Sequence, residues 1–198
     1  MKVLGITGGI GSGKSTVCQV FRQLGIPVYE ADAEVKKLYQ SDNSLATALR
    51  DKFPSELFNE EGRPDTSRFA AYFFNQPAAL EQLNALVHPL VKEHFKKWTK
   101  ERRQAPYVIK EAAILFESGT DKDCDRVATV AAPEELRLAR VVTRDKRSRS
   151  EVMKIMQKQW SDAQRKEKAD YEIANDETQL VLPQLLNVHR QMLKLAGE

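Results

Sequence analysis

The chain has 198 residues, of which 41% are hydrophobic and 30% are charged, a size and composition that exclude two ordinary domains and a disordered or fibrous chain. Its formal net charge is only +3, and basic and acidic residues alternate along most of the sequence, so we expect a small phosphorylated partner and no nucleic acid. No apolar run approaches the roughly 20 residues of a membrane span, the first residues lack a signal-peptide pattern, and Cys18 and Cys124 fit no disulfide or zinc pattern, so we expect a cytoplasmic protein without a membrane partner.

Short apolar runs that alternate with helical patterns predict an α/β fold. The runs are KVLGIT at 2–7, PVYEAD at 27–32, YVIKEAAILF at 107–116, DRVATVAA at 125–132 and YEIAN at 171–175. After the first run, apolar residues from Val17 to Leu24 follow helical spacing, and Gly25 and Pro27 end that helix. The alternation predicts a three-layer fold, in which helices cover both faces of a five-stranded parallel sheet.

A glycine-rich stretch, GITGGIGSGKST at 5–16, lies between the first predicted strand and the first predicted helix. From Gly8 to Ser15 it fits the P-loop pattern G-x-x-x-x-G-K-[ST]. Glycines let successive backbone N–H groups surround phosphate oxygens, and the helix N-terminus adds partial positive charge. Lys14 would neutralise the β- and γ-phosphates, and the Ser15 hydroxyl would bind Mg²⁺. The stretch therefore predicts an ATP and magnesium site, with the residues Gly9, Gly11, Ser12, Gly13, Lys14, Ser15 and Thr16.

Two acidic residues accompany the predicted strands. Asp32 ends the second run, and ligands of open α/β sheets bind beyond the carboxyl ends of the strands, so Asp32 is a candidate general base. It suits equally well the N-cap of a helix that begins with AEVKKLY. Glu111, in the third run, either orients a metal-bound water or pairs with a lysine.

A long helical stretch separates the second and third runs. Apolar and aromatic residues from Phe69 to Trp98 follow helical spacing, and residues 51–66 predict a loop that leads into them. We expect one domain, 1–198, with a nucleotide-binding core at about 1–50 and 105–198 and a helical acceptor-binding lobe at about 51–104. Within the lobe, the pair His88–Pro89 indicates a hinge at which a new helix begins.

A basic segment follows the fourth run. Arg137, Arg140 and Arg144 are spaced by three and four residues and lie on one helix face, and Lys146, Arg147 and Arg149 follow. Most such runs are solvated surfaces. In a P-loop kinase, however, a mobile basic lid closes over the triphosphate, so we predict a lid over about 137–165.

The combination of these segments resembles the dephospho-CoA kinase family. The P-loop, LGIPVYEAD, LVHPLV, ILFESG, RVVTRD and ADYEIAN occur in the order of that family over residues 3–176. The resemblance implies the P-loop kinase fold and transfer of the ATP γ-phosphoryl group to the ribose 3′-hydroxyl of dephospho-CoA, the last step of coenzyme A biosynthesis. It implies no obligate protein partner.

The resemblance also assigns residues. Asp32 matches the base, Lys14 and its loop match the phosphate site, Arg140 matches the lid arginine that faces the phosphates, and Arg144 and Asn175 match the adenine contacts. The segments that match the acceptor site contain His88, Pro89, Leu115, Phe116 and Glu117. Glu30 stands where aspartate is common and Arg165 stands where lysine is usual, and both changes keep the charge.

Two other functions compete with this one. Another small-molecule P-loop kinase would share the P-loop and the lid but use a different acceptor. A nucleotide-gated binding module would bind ATP tightly without acceptor-stimulated turnover. A GTPase is a minor alternative, because the chain lacks the patterns N-K-x-D and D-x-x-G.

Overall fold

The structure, a computed structural model, describes residues 1–74 and 76–197. Asn75 and Glu198, which the predicted lobe and domain ranges include, lie outside the described residues. The chain divides into two compact units, a sheet unit of Met1–Glu30 with the chain from Arg102 onward, and a helical unit of Ala31–Glu101. The predicted lobe starts near residue 51, whereas the helical unit starts at Ala31, because the helices that follow Ala31 share its hydrophobic core.

Five strands form one parallel sheet in the order β2-β3-β1-β4-β5. The strands are β1 Lys2–Thr7, β2 Val28–Glu30, β3 Tyr107–Glu111, β4 Arg126–Ala131 and β5 Tyr171–Ala174. The predicted five-stranded parallel sheet is confirmed. The third strand is shorter than predicted, because the N–H groups of Ser118 and Thr120 turn back to the carbonyls of Ile114 and Leu115.

Nine α-helices are found among the described residues. They are α1 Lys14–Gln23, α2 Ala31–Ser41, α3 Asn43–Arg50, α4 Thr66–Phe74, α5 Pro77–Lys100, α6 Glu134–Asp145, α7 Arg149–Met156, α8 Asp162–Lys168 and α9 Val181–Ala196. Helices α7 and α8 both begin with a capping box, at Ser148 and Ser161. The predicted lid range, 137–165, contains all of α7, most of α6 and the first half of α8.

The sheet unit buries both faces of its central strand. Leu4 and Ile6 of β1 pack in one cluster with Phe21 of α1 and Met192 of α9, so these two helices cover one face. The remaining residues of β1 from Val3 to Thr7 are buried as well. A parallel sheet with both faces covered needs such continuously apolar strands, which is why the strands could be recognised as apolar runs.

The helical unit has its own aromatic core. Phe69 and Phe73 of α4 contact each other with ring centroids 5.3 Å apart, and Phe53 and Phe58 meet them edge-on at 5.1 and 5.5 Å. Tyr39 of α2 and two leucines of α3, Leu45 and Leu49, belong to the same cluster. The packing of α2 and α3 against these rings places both helices in the helical unit.

Helix α5 runs without interruption through Pro89. The predicted hinge at His88–Pro89 is therefore wrong, and both residues lie in the interior of one long helix. Proline removes the hydrogen bond to the carbonyl of Ala85, but Leu83, Val87 and Phe95 are buried and hold the turns on both sides. Among the described residues, no helix combines the length and the apolar content needed to cross a bilayer.

Candidate active site

The P-loop, Gly8–Ser15, joins the carboxyl end of β1 to the first turn of α1. A turn closes within it, where the N–H of Ser12 donates to the carbonyl of Gly9 over 3.1 Å. The Lys14 ammonium donates to the carbonyls of Gly8 at 2.9 Å and Gly9 at 3.5 Å, so it lies over the loop. This arrangement has the strand, loop and helix context that the P-loop pattern requires.

Gly11 explains part of the glycine content of this loop. Its φ is +80°, and a Cβ at this position would overlap the carbonyl oxygen of Arg137 and approach Val141. The first turns of α6 therefore press directly on the loop, and an L-residue at this φ would be strained as well. Gly11 is required by packing, in addition to any role in phosphate binding.

Ser15 and Thr16 lie in the first turn of α1 with exposed side chains. The Ser15 hydroxyl makes no hydrogen bond with any described residue, so its oxygen is available as a ligand. Oxygen donors suit Mg²⁺, which keeps several waters and binds few protein groups. The Ser15 hydroxyl is therefore suited to the predicted role of a Mg²⁺ ligand. Within the described part of the chain, no cluster of three or more His, Cys, Asp or Glu side chains has the arrangement of a metal site.

Two acids end neighbouring strands beside the P-loop strand. Glu111 of β3 pairs in register with Ile6 of β1 on one side and with Glu30 of β2 on the other. The Glu30 carboxylate forms an ion pair with Arg22 of α1 at 2.6 Å. Glu30, which replaces the more common aspartate, is thus tied to the helix that follows the P-loop.

The loop after β5 connects Arg140 with the P-loop. The Asn175 amide donates to the carbonyl of Ser12 over 2.8 Å, and both terminal nitrogens of Arg140 donate to the carbonyl of Asn175 over 3.2 Å. Arg140 also pairs with Glu177 at 3.1 Å and lies 3.5 Å from the carbonyl of Gly11. The structure therefore brings Lys14, Arg140 and Asn175 together around one loop.

The three arginines of α6 have different environments. Arg137 is buried, Arg140 is half-buried against the P-loop, and Arg144 is exposed and pairs with Asp145 at 2.7 Å. The hydrogen bond from Arg144 holds the pKa of Asp145 below its ordinary value. The spacing of the three arginines predicted that they share one helix face. Their burial and their partners nevertheless differ, because each side chain meets a different part of the sheet unit.

A buried pair of guanidinium groups lies on the P-loop at Gly9. A Cβ on Gly9 would overlap the terminal nitrogens of Arg137 and Arg165. Arg165 donates to Asp162 at 2.6 Å, and Arg137 donates to the carbonyl of Ala132 at 3.0 Å. Arg165 is completely buried, and its Nε and Nη1 have no hydrogen-bond partner among the described residues. The sequence did not reveal this pair, because only the fold brings Arg165 of α8 and Arg137 of α6 together at Gly9.

The segment before α8 also contacts the P-loop. The N–H of Ile10 donates to the Gln159 side-chain oxygen over 2.8 Å. The next residue, Trp160, donates its N–H to Glu117 at 2.9 Å and stacks its ring on Phe116 at a centroid distance of 5.8 Å. Sequence reasoning missed Gln159, since only the fold brings it to a residue 149 positions away.

The predicted acceptor residues lie in both units. Leu115, Phe116 and Glu117 follow β3, and the fully buried Leu115 side chain packs at Gly5 of β1. His88 and Pro89 lie in the middle of α5.

Asp32, the predicted base, is the second residue of α2 and is exposed. Since α2 begins at Ala31, the alternative that Asp32 is its N-cap is wrong. The Asp32 carboxylate makes no hydrogen bond or ion pair with a described residue, so it is available to a ligand.

A cavity of about 410 Å³ opens between the starts of α6 and α8 and the end of β5. Arg137 contributes one positive charge to its walls, whereas Glu134, Asp162, Glu172 and Asp176 contribute four carboxylates. This excess of negative charge disfavours a triphosphate. The P-loop is therefore the better phosphate site.

Comparison with known proteins identifies the family to which the chain is similar. The family model described as dephospho-CoA kinase matches residues 2–180. The dephospho-CoA kinase of Bacteroides fragilis is 38% identical over 185 residues, which are 93% of this chain and 90% of the relative. That of Chlorobaculum tepidum is 40% identical over 182 residues, with 89% and 87% covered.

Solved structures share the fold. A Thermus thermophilus protein superposes with a TM-score of 0.82 at 32% identity, over 98% of this chain and 96% of the other. A dephospho-CoA kinase from Campylobacter jejuni shares the fold with a TM-score of 0.67 at 24% identity, over 98% of both chains. The chain therefore belongs to the dephospho-CoA kinase family of phosphotransferases.

Proposed function

We propose that the protein transfers the γ-phosphoryl group of ATP to the ribose 3′-hydroxyl of dephospho-CoA and so completes coenzyme A biosynthesis. The observation that carries the donor site is the P-loop with Lys14, Arg140 and Asn175 around it. The acceptor comes from the curated relatives, whose names state dephospho-CoA as their substrate.

In this proposal, the chain binds ATP mainly through its backbone and a few cations. The Lys14 ammonium and the N–H groups of the loop between Gly9 and Thr16 bind the phosphates, except those of Ile10 and Ser12, which donate within the protein. Ser15 holds Mg²⁺, which neutralises phosphate charge when it is bound. Arg140 stabilises the charge that develops on the transferred phosphoryl group. Arg144 and Asn175 contact the adenine side of the nucleotide.

The chemical step forms one bond and breaks one. The 3′-oxygen of the acceptor bonds to the γ-phosphorus, the bond from that phosphorus to the ADP oxygen breaks, and the hydroxyl proton passes to the Asp32 carboxylate. His88, Pro89, Phe116 and Glu117 bind the acceptor. Leu115 contributes through its backbone or by shaping the site, because its side chain is fully buried.

The same proposal places the enzyme in the cytoplasm and requires no nucleic acid, membrane or obligate protein partner. Its support is the balanced charge of the sequence and the small size of both substrates.

The first test is to incubate the purified protein with Mg-ATP and dephospho-CoA and to measure the product by mass. We expect coenzyme A, heavier than the acceptor by one phosphoryl group, together with ADP. Conversion of other acceptors in its place would mean a different small-molecule kinase. Tight ATP binding without turnover on any acceptor would favour the nucleotide-gated binding module.

A further inference from the structure

We propose that Gln159 is a positioning residue of the phosphate site, whose side-chain amide holds the P-loop backbone at Ile10 in the conformation that receives phosphate oxygens. This inference rests on the proposed function only in that it takes ATP as the ligand of the P-loop. It concerns how the loop is held and not which acceptor is phosphorylated.

The first argument is the position of the hydrogen bond. Ile10 lies within the turn that the Ser12 N–H closes on the Gly9 carbonyl, and the 2.8 Å bond from its own N–H to Gln159 ties that turn to the segment before α8. A loop this rich in glycine has many backbone conformations, so an external contact at its turn restricts it strongly. The Ile10 side chain is held too, since it packs on the cluster that Leu138 and Val141 share with α7.

The second argument is that Gln159 is itself fixed. Its N–H donates to the carbonyl of Met156 at the end of α7. The adjacent Trp160 is held by Glu117 and by its stacking on Phe116. Lys168 lies 5.1 Å from the centre of the Trp160 ring. The Gln159 side chain therefore extends from a backbone that neighbouring contacts hold on both sides.

The third argument is chemical. A backbone N–H needs an acceptor, and the loop must bind a highly charged anion. A carboxylate in place of the amide would accept the same hydrogen bond but add negative charge beside the triphosphate. A glutamine supplies the acceptor without that charge, so the residue type fits both requirements.

The test compares Gln159→Met, which keeps the length of the side chain but removes the acceptor, with Gln157→Met as the matched control. Gln157 is exposed on the same segment and is not part of the site. We expect Gln159→Met to raise the Kd of ATP and ADP about tenfold, the effect of losing one hydrogen bond to a partly buried N–H, while the Kd of adenosine stays unchanged. The control should match the wild type for all three ligands.

A second variant separates the effect of the hydrogen-bond acceptor at residue 159 from the effect of charge there. Gln159→Glu keeps the acceptor and should weaken ATP more than ADP, and added salt should reduce this loss because it screens the introduced charge. It also serves as the test if Gln159→Met fails to fold, which a thermal melt would show.

Unchanged or tighter ATP binding in Gln159→Met would overturn the inference, as would an equal loss of adenosine affinity, which indicates a merely structural role. For Gln159→Glu the overturning result is a loss of ATP affinity that added salt does not reduce, because the retained acceptor would then fail to hold the loop. Nucleotide binding is measured without an acceptor. A wild type that makes no coenzyme A would therefore overturn the proposed reaction while leaving the role of Gln159 to be decided by the affinities.

Discussion

Among single residues, Asp32 gives the most specific prediction about catalysis. Its carboxylate is exposed in the first turn of α2. If it accepts the acceptor proton, Asp32→Asn should lower kcat by about 10²–10⁴-fold, the usual range for removing a general base, and leave the Kd of ATP unchanged. Steady-state kinetics with dephospho-CoA and calorimetry with ATP measure the two quantities.

The matched control is Asp51→Asn, since Asp51 is exposed at the end of α3 in the same unit. We expect this variant to turn over like the wild type. Normal turnover of Asp32→Asn would show that Asp32 is not the base, even if the substrate assignment is correct.

The residues of the site differed in how well the sequence predicted them. Lys14 and the P-loop glycines follow a short local pattern, so their position beside a strand and a helix could be inferred. Gln159 and Arg165 act through contacts with residues distant in the chain, and only tertiary packing brings them to the loop. The sequence predicted that Arg137 lies on a helix, but it did not predict that its side chain is buried.

Among the structural elements, the predicted lid is hydrogen-bonded to the rest of the sheet unit near both of its ends, and a basic segment lies between them. Arg140 near one end is bonded to the loop after β5, and Gln159 near the other is bonded to the P-loop. Between them lie the exposed basic residues Lys146, Arg147 and Arg149. Lys146, in the left-handed conformation with φ 52°, ends α6, so the chain direction changes there.

Hydrogen exchange tests whether this middle part closes over the nucleotide. We expect the amides of 146–156 to exchange more slowly when Mg-ATP and dephospho-CoA are both bound, while β1 stays equally protected in all states. Because the ends of the lid are already held, the change should be confined to the part between them. Equal exchange of 146–156 with and without ligands would contradict a closing lid.

The positions of strands and helices were predicted well where the sequence shows a single hydrophobic pattern. The three central strands, β1, β3 and β4, are buried on both faces or nearly so, and this leaves apolar runs in the sequence. The error at Pro89 arose because proline disfavours helix locally, whereas the buried residues of α5 on either side stabilise it over its whole length. Such stabilisation depends on the partner surface and has no local signal.

At the level of the whole molecule, Cys18 reports on global unfolding. Cys18 is fully buried in the sheet core, whereas Cys124 packs at Gly5 of β1 and is half-buried. Burial raises the pKa of both thiols from 9.0 to about 12. The folded pKa of each thiol lies above its unfolded pKa. The contribution of the neutral thiols to the free energy of unfolding is therefore complete below about pH 8.5 and is lost as the pH rises toward 12.

We therefore expect a thiol reagent at pH 8 to react with the buried Cys18 only at the rate of unfolding and with the half-buried Cys124 faster, and bound Mg-ATP to slow the reaction of Cys18. The reaction is followed by absorbance, and Cys18→Ala and Cys124→Ala identify the reacting thiol. Fast labelling of Cys18 in the wild type at low temperature would show that its environment opens locally.

The division into two units was less accessible from the sequence than the sheet itself. Helices α2 and α3 have ordinary amphipathic patterns that fit either unit, and the aromatic cluster of the helical unit determines where they belong. Which of two hydrophobic cores a helix joins is a tertiary property.

The contact between Gly11 and α6 bears on how such enzymes evolve. Because the carbonyl of Arg137 leaves no room for a side chain at this position, a larger residue would damage the folded protein even in a cell that never used its nucleotide. A descendant that lost catalysis would still be selected to keep this glycine. The signature by which kinases of this kind are found in genomes would thus outlast the activity, and a duplicated gene with an intact glycine pattern deserves a turnover assay before it is counted as an enzyme.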